Sequence, residues 1–267
     1  MKNLYITLFS ILFISLSINA QIVVFHPVKV PSEEIEKFIE IETNYSKKTA
    51  QDAVNNGSLE GWALLRRFNP DPDGYNFMWV NIYKDIKTVV EKGFWWGNSE
   101  KVLGIKPSVL YDYGKNITAD RRYYYEMELQ INGDDAPAFV IFNFTTPSDV
   151  DAMINQTKKY VMPHFSKNMK SSGMVGWGLG TKITPQGEEF SSVMTYDSYD
   201  SLENVMLHLA GKGIIEGLPF DKLTPVDWTM RPIMSVLSVT DPRQYFYFVK
   251  VKKQILTPYF KGFFIFI

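Results

Sequence analysis

Residues 57–65 read GSLEGWALL and residues 173–180 read GMVGWGLG, so one pattern of glycine and tryptophan occurs twice in the chain. In each copy a glycine ends a helical run, and a Gly-Trp pair then begins an alternating apolar segment that is typical of a β-strand. The two tryptophans, Trp62 and Trp177, are 115 positions apart. A repeat of this length predicts two similar structural units in tandem.

The repeat extends beyond these two strands. The Pro-Ser pairs at 31–32 and 147–148 each precede an acidic helical run at an offset of 116 positions, and Tyr83 aligns with Tyr196 at an offset of 113. We assign the difference between the offsets to short turns. Each half is predicted to run strand, helix, strand, strand, helix, strand, which is the ferredoxin-like βαββαβ unit.

Residues 1–20, MKNLYITLFSILFISLSINA, are predicted to form a secretory signal peptide. Lys2 precedes an apolar run at 4–18, and Ala20 is a suitable small residue for cleavage. The run is shorter than the roughly 20 residues that a helix needs to cross a bilayer. We therefore expect no membrane span after cleavage and an exported protein, in the periplasm or outside the cell.

The remaining chain divides into two repeats and a tail. We assign residues 21–133 to the first ferredoxin-like repeat and 134–253 to the second, with its last strand at 244–251. Residues 254–267 have no counterpart in the repeat and are interpreted as an apolar C-terminal extension. Because no repeat partner requires this segment, we place it at the periphery.

Composition narrows the classes of function. The chain has 28 Lys and Arg against 29 Asp and Glu, and without a basic patch it is not expected to bind nucleic acid. It has no Cys and three dispersed His, so no disulfide framework and no metal site are predicted. No phosphate-binding loop or dinucleotide motif occurs. The sequence therefore does not indicate which cofactor, if any, the protein uses.

A ferredoxin-like unit has helices on one face of its sheet and leaves the other face apolar. Such a face must be covered, and two tandem units can cover each other. The predicted fold class is therefore α+β, with two tandem ferredoxin-like βαββαβ units whose sheets face each other as a pseudo-dimeric α+β barrel. The internal pseudo-dimer predicts a monomer.

The strand openings Gly-x-x-x-Gly-Trp at 57–62 and Gly-x-x-Gly-Trp at 173–177, each after a helix with a Pro-Ser start, resemble the dimeric α+β barrel superfamily. That superfamily includes stress-responsive barrel proteins and small cofactor-free monooxygenases. The resemblance covers residues 22–253 but matches no specific family, because its motifs mark backbone geometry and not chemistry. It implies a cofactor-free oxygenase- or isomerase-type enzyme as an alternative function, with His164, Asn81 and Tyr83 as candidates.

The three histidines are interpreted differently. His26 lies in the first predicted strand and is expected to be a packing residue, whereas His208 on a short helix is expected to be exposed. His164 follows Pro163 near the helix face that meets the sheet. Since barrels that resemble this chain can place a histidine near their pocket, including some that bind haem, His164 is the candidate catalytic residue.

Strand alternation divides the side chains of the third strand between two faces. Trp79, Asn81 and Tyr83 share one face, and the aliphatic residues at 78, 80 and 82 share the other. We predict that the aliphatic face packs on the helices and that the mixed face meets the other sheet. Trp95-Trp96, in the irregular stretch that follows, is placed at the rim.

A surface with aromatic walls and a few polar groups suits a small-molecule pocket or an interface between the halves. The leading hypothesis is a small apolar or aromatic ligand held between the two sheets. A structural module with a filled core is a further alternative, and a cavity above about 300 Å³ would argue against it. The predicted ligand-binding residues are Trp62, Trp79, Asn81, Tyr83, Trp177 and Tyr196.

Overall fold

The structure is a computed structural model that describes residues 21–133 and 135–241. The predicted signal peptide at 1–20, the predicted strand at 244–251 and the predicted extension at 254–267 lie outside these ranges. Within them, no helix has both the length and the hydropathy that a membrane span requires.

The described ranges contain ten strands. They are β1 (Ile22–Lys29), β2 (Gly61–Arg67), β3 (Phe77–Tyr83), β4 (Thr118–Ala119), β5 (Tyr123–Asn132), β6 (Phe139–Thr145), β7 (Met174–Thr184), β8 (Val193–Tyr199), β9 (Trp228–Met230) and β10 (Ile233–Val239). The helices of the same ranges are α1 (32–55), α2 (Ile86–Lys92), α3 (Ser99–Leu103), α4 (Pro107–Leu110), α5 (150–168) and α6 (Leu202–Leu209). Both long helices, α1 and α5, contain a π-helical turn, at Glu42–Ser46 and Thr157–Val161.

Eight strands close into an antiparallel barrel in the order β10-β2-β3-β1-β5-β7-β8-β6 and back to β10, while β4 and β9 pair outside this ring. The first half supplies β2-β3-β1-β5 and the second supplies β7-β8-β6-β10, so the two halves have the same internal strand order. The prediction of an α+β chain whose sheets form a barrel is therefore confirmed. The strand that closes the second half is β10, which precedes the strand predicted at 244–251.

The barrel interior is packed with apolar side chains from both halves. Phe25 of β1 and Phe142 of β6 meet edge to face, with ring centroids 4.9 Å apart. Tyr125 of β5 and Met194 of β8 belong to the same buried cluster. Because alternate residues of every strand point inward, closure buries one face of each sheet against the other.

The outer faces of the sheets carry the helices. On the first half, Phe38 of α1 packs against Phe77, with ring centroids 4.8 Å apart. On the second half, Phe165 of α5 packs edge to face on Trp177 at 5.8 Å. Each half therefore has its own outer apolar core in addition to the shared interior.

The predicted assignment of faces is wrong. Met78 and Val80 of β3 point into the barrel, and the face with Trp79, Asn81 and Tyr83 lies under the helices. Alternation shows which residues share a face, but the closure of the ring decides which face turns inward.

The alignment of Tyr83 with Tyr196 is also wrong. Tyr83 pairs with the start of β1 at Ile22, and Tyr199 pairs with the start of β6 at Phe139, so Tyr199 is the structural counterpart of Tyr83. The correct offset is 116 positions and not 113. An odd difference of three residues moves the counterpart to the opposite face of a strand, and Tyr196 accordingly lies against the barrel interior.

Two glycines, each at the end of a long helical stretch, differ in how closely their surroundings are packed. Gly57 and Gly173 both have positive φ, at 76° and 66°. An added Cβ at Gly57 meets nothing within 4 Å, whereas at Gly173 it would overlap the Asn204 amide and lie 2.6 Å from a carboxylate oxygen of Asp200. Asn204 donates to that carboxylate at 2.8 Å.

We expect Gly57→Ala to lower the free energy of unfolding by about 1 kcal/mol, the cost of a left-handed alanine. Gly173→Ala is expected to cost about 2 to 3 kcal/mol, because the Asn204 hydrogen bond is also disturbed. Urea denaturation of both variants measures the difference. Equal losses would show that the space around Gly173 is not restricted in this way.

Candidate functional site

A cavity of about 440 Å³, called here the N-terminal cavity, lies on the outer face of the first-half sheet. It is lined by residues of β1, β2, β3, β5, α1, α2 and the segment 93–122. Its volume falls in the range of small-molecule sites. The aromatic residues that line it include Trp62, Trp79, Tyr83, Trp95, Trp96 and Tyr124.

Two indole hydrogen bonds fix the orientation of these walls. The Nε1 of Trp79 donates to the carboxylate of Glu42 at 2.9 Å, and the Nε1 of Trp95 donates to the amide oxygen of Asn81 at 3.1 Å. Glu42 is 2% exposed and begins the π-helical turn of α1. The polar ends of both rings are thereby satisfied within the protein, and indole bonds of this kind are usual for buried tryptophans.

Burial shifts the titration of two further groups at this cavity. It raises the pKa of Tyr83 to about 12, so the phenol keeps its proton. Burial, together with the charge of Arg122, lowers the pKa of His26 to about 4. The His26 imidazole faces Trp79 with ring centroids 5.3 Å apart and is neutral near pH 7.

The lowered pKa of His26 predicts a pH-dependent stability. An unfolded imidazole takes up a proton near pH 6.5, whereas the folded one does so near pH 4. Between these values the unfolded state binds more protons, so stability is full above pH 6.5 and decreases as the pH falls toward 4. Since the partly exposed imidazole is screened by solvent, we expect a loss of about 2 kcal/mol.

The measurement compares denaturation of the wild type and His26→Gln at several pH values. The difference in unfolding free energy between the two proteins should change by about 2 kcal/mol between pH 7 and 4. An NMR titration of the imidazole signals gives the pKa directly. A His26 titration centred near pH 6.5 would contradict the predicted burial effect.

A second cavity of about 450 Å³, called here the C-terminal cavity, lies on the outer face of the second-half sheet. It is lined by residues of β6, β7, β8, α5, α6 and the segment 209–231. Its apolar lining includes Phe165, Trp177, Ile215, Leu218 and Trp228. Its polar lining includes Asn143, Thr195, Asp197, His208 and Arg231.

These five polar residues form one hydrogen-bonded network. Asn143 donates through Nδ2 to the Asp197 carboxyl and to Thr195 Oγ1, and its Oδ1 accepts from Arg231 Nε at 2.7 Å. Arg231 Nη2 lies 3.2 Å from His208 Nε2. Burial raises the pKa of Asp197 and lowers the pKa of His208, so both groups are biased toward their neutral forms.

The structure brings together four of the six predicted ligand-binding residues. Trp62, Trp79, Asn81 and Tyr83 all line the N-terminal cavity. Trp177 lines the C-terminal cavity, and Tyr196 belongs to the barrel interior. Five of the six residues thus lie outside the barrel, in two cavities, because the space between the sheets is occupied by the interior core.

The sequence interpretation missed the polar network of the second half. His208 was expected to be exposed, but it is 7% exposed, so that expectation is wrong. Helix α6 begins after the N-cap Ser201. Val205 and His208 are three residues apart, so both lie on the helix face that packs against the sheet. The sequence feature that could have indicated this network is Asp197, an acidic residue inside an otherwise uncharged strand.

His164 occupies a different position from both cavity linings. Its Nε2 lies 2.7 Å from the carbonyl oxygen of Ile214, and Asn168 donates to the His164 carbonyl at 2.9 Å. The first of these bonds ties α5 to the short 3₁₀ turn Gly213–Ile215.

In the described ranges, no group of three His, Cys, Asp or Glu is arranged to hold a metal ion.

The closed ring of eight strands with helices on its outer faces defines the dimeric α+β barrel fold. No protein-family model matches the chain, and no curated protein sequence is significantly similar to it. Comparison with solved structures does find similar folds.

Two similar structures are proteins described provisionally as monooxygenases. The one from Fusobacterium nucleatum is 11% identical, with a TM-score of 0.53 over 84% of this chain and 95% of its own. The one from Lactobacillus acidophilus is 14% identical, with a TM-score of 0.53 over 84% and 97%. A mutant chlorite dismutase from Candidatus Nitrospira defluvii is 8% identical, with a TM-score of 0.51 over 84% and 93%. At these identities the likeness shows the fold alone.

Proposed function

We propose that this protein binds a small apolar or aromatic molecule in the N-terminal cavity. The observation that carries the proposal is an aromatic-walled space of about 440 Å³ that also has polar groups at fixed positions. Ligand sites of this size are mostly apolar and use a few polar groups to set orientation. A module with only a structural role does not require such a space beside its core.

The geometry favours an aromatic ring system as the ligand. Trp79 and Trp95 are held by hydrogen bonds at their indole nitrogens, so their orientation is set before a ligand enters. Asn81 and Tyr83 supply the polar groups nearest to these rings on β3. Preformed walls reduce the ordering cost of binding.

The test is an NMR titration of the protein with 1-naphthol, a neutral aromatic probe, that follows the indole N–H signals of the six tryptophans. The signals of Trp79 and Trp95 are expected to shift in a saturable way. Native mass spectrometry of protein from its own source should also show a retained small molecule. No saturable shift at Trp79 and Trp95 would overturn the proposal.

A second candidate is an enzyme that acts on the molecule bound in this cavity. The observation in its favour is that the tyrosine hydroxyl of Tyr83 and the amide of Asn81 line the same space, and similar folds include proteins described provisionally as monooxygenases. His164, the third sequence candidate, does not line it. Oxygen consumption with the retained molecule as substrate, in the wild type and in Tyr83→Phe, distinguishes an enzyme from a binder.

We also propose that the chain is exported and that its halves descend from one duplicated unit. Residues 1–20 support export, and recovery of a protein that begins at Gln21 would test it. The duplication is supported by equal strand order, and by π-helical turns that begin at equivalent positions, Glu42 and Thr157. The same arrangement favours a monomer, which sedimentation equilibrium would test.

A further inference from the structure

We infer that the C-terminal cavity is a second binding site and that its ligand is an organic carboxylate, with its carboxylate paired to Arg231 and its apolar body inside the cavity. This inference is independent of the function proposed for the N-terminal cavity. It rests on the contacts of one guanidinium group and on the walls around it.

The protein contacts of the Arg231 guanidinium are with neutral groups. Its Nε donates to Asn143 Oδ1 at 2.7 Å, its Nη2 donates to His208 Nε2 at 3.2 Å, and its carbon lies 5.9 Å from the ring centroid of Trp228. In the ranges that the structure describes, no carboxylate oxygen lies within 4.0 Å of its nitrogens. Since a guanidinium has five N–H groups, three are left for a ligand.

His208 supports the guanidinium as a neutral acceptor. A nitrogen that accepts a hydrogen bond from Arg231 must have a free lone pair, so the imidazole proton is on Nδ1. That Nδ1 lies 2.6 Å from the hydroxyl oxygen of Tyr199 and donates to it. Burial also lowers the pKa of His208, which agrees with a neutral ring.

Asp197 is separated from the guanidinium by Asn143. The asparagine donates to the Asp197 carboxyl and accepts from Arg231, so it occupies the position between them. Asp197 is 2% exposed, and burial raises its pKa. The bias toward the neutral carboxyl reduces the negative charge that would compete with a ligand carboxylate.

The surroundings define the rest of the ligand. Moving a cation out of water is costly unless it gains a partner, and a carboxylate matches the fork of an arginine with two parallel hydrogen bonds. Beside Arg231, the space of about 450 Å³ is walled by side chains such as Phe165, Trp177 and Leu218. A carboxylate attached to an aromatic or branched aliphatic body satisfies both parts of the cavity.

The test compares indole-3-acetate with its neutral amide, indole-3-acetamide, by calorimetric titration of the full chain. The carboxylate is expected to bind at least about tenfold more tightly, the effect of a hydrogen-bonded charge pair. Arg231→Met should remove this preference, and Arg231→Lys should weaken carboxylate binding by about tenfold because the fork is lost. Arg121→Met is the matched control, since that guanidinium lies 5.2 Å from the ring centroid of Phe190 and lines neither cavity.

Three outcomes would overturn the inference. They are equal affinity for the acetate and the amide, equal losses in Arg121→Met and Arg231→Met, and saturable NMR shifts with the acetate that leave the Trp228 indole signal unchanged. The NMR measurement uses the wild type, so it remains decisive if Arg231→Met does not fold. Binding of 1-naphthol at Trp79 and Trp95 is measured separately, which keeps failure here distinct from failure of the proposed function.

Discussion

Phe142→Ala is expected to lower the free energy of unfolding by about 4 kcal/mol, which is the largest stability loss that we predict. Phe142 is 4% exposed and packs edge to face against Phe25 from the other half of the chain. Removal of its ring leaves a cavity where the two sheets meet, because neighbours fixed in a closed barrel relax only in part. Urea denaturation followed by circular dichroism measures the change.

Phe94→Ala is the control for this measurement. Phe94 is 79% exposed, so its truncation removes little buried surface and should change stability by less than about 0.5 kcal/mol. A small loss for both variants would mean that the sheets do not shield each other through Phe142. The account of the barrel interior would then be wrong.

Trp95→Ala is expected to weaken the binding of 1-naphthol by about 10- to 100-fold, the largest functional effect that we predict for the N-terminal cavity. Stacking on an aromatic side chain contributes on the order of 1 to 3 kcal/mol, and tenfold corresponds to about 1.4 kcal/mol. The variant also releases Asn81 from its hydrogen bond to the indole. Calorimetric titration measures the affinity.

The control for Trp95→Ala is Phe68→Ala, which removes an aromatic ring that is 42% exposed and lines neither cavity. Its affinity for 1-naphthol should equal that of the wild type. A thermal unfolding curve shows whether Trp95→Ala remains folded. Unchanged binding in a folded Trp95→Ala protein would place the ligand elsewhere.

Much of the fold could be predicted because its signals are local. Gly57 and Gly173 mark positions of positive φ, and each is followed by a Gly-Trp strand opening. The helical runs after the Pro-Ser pairs form α1 and α5. Each of these features depends on residues that are close together in the sequence, so apolar periodicity and turn residues are enough to detect it.

The candidate site could be predicted only in part. Trp79, Asn81 and Tyr83 were grouped correctly, since alternate residues of one strand share a face. The surroundings of these three residues were not predicted correctly, because Trp95 reaches the cavity from a segment whose sequence has no regular pattern. In the second half, the Asn143–Arg231 hydrogen bond joins residues 88 positions apart, and no local signal indicates such a pair.

By itself, the amino-acid sequence determined an α+β chain, a Gly-Trp strand opening that occurs twice and a set of aromatic residues that share one strand face. Tertiary structure alone decided that the barrel interior is packed, that the cavities lie under the helices, and that Arg231 meets Asn143 and His208. The physical reason is that alternation relates residues of one strand to each other. The inward direction, by contrast, is set only when β10 pairs with both β2 and β6 and closes the ring.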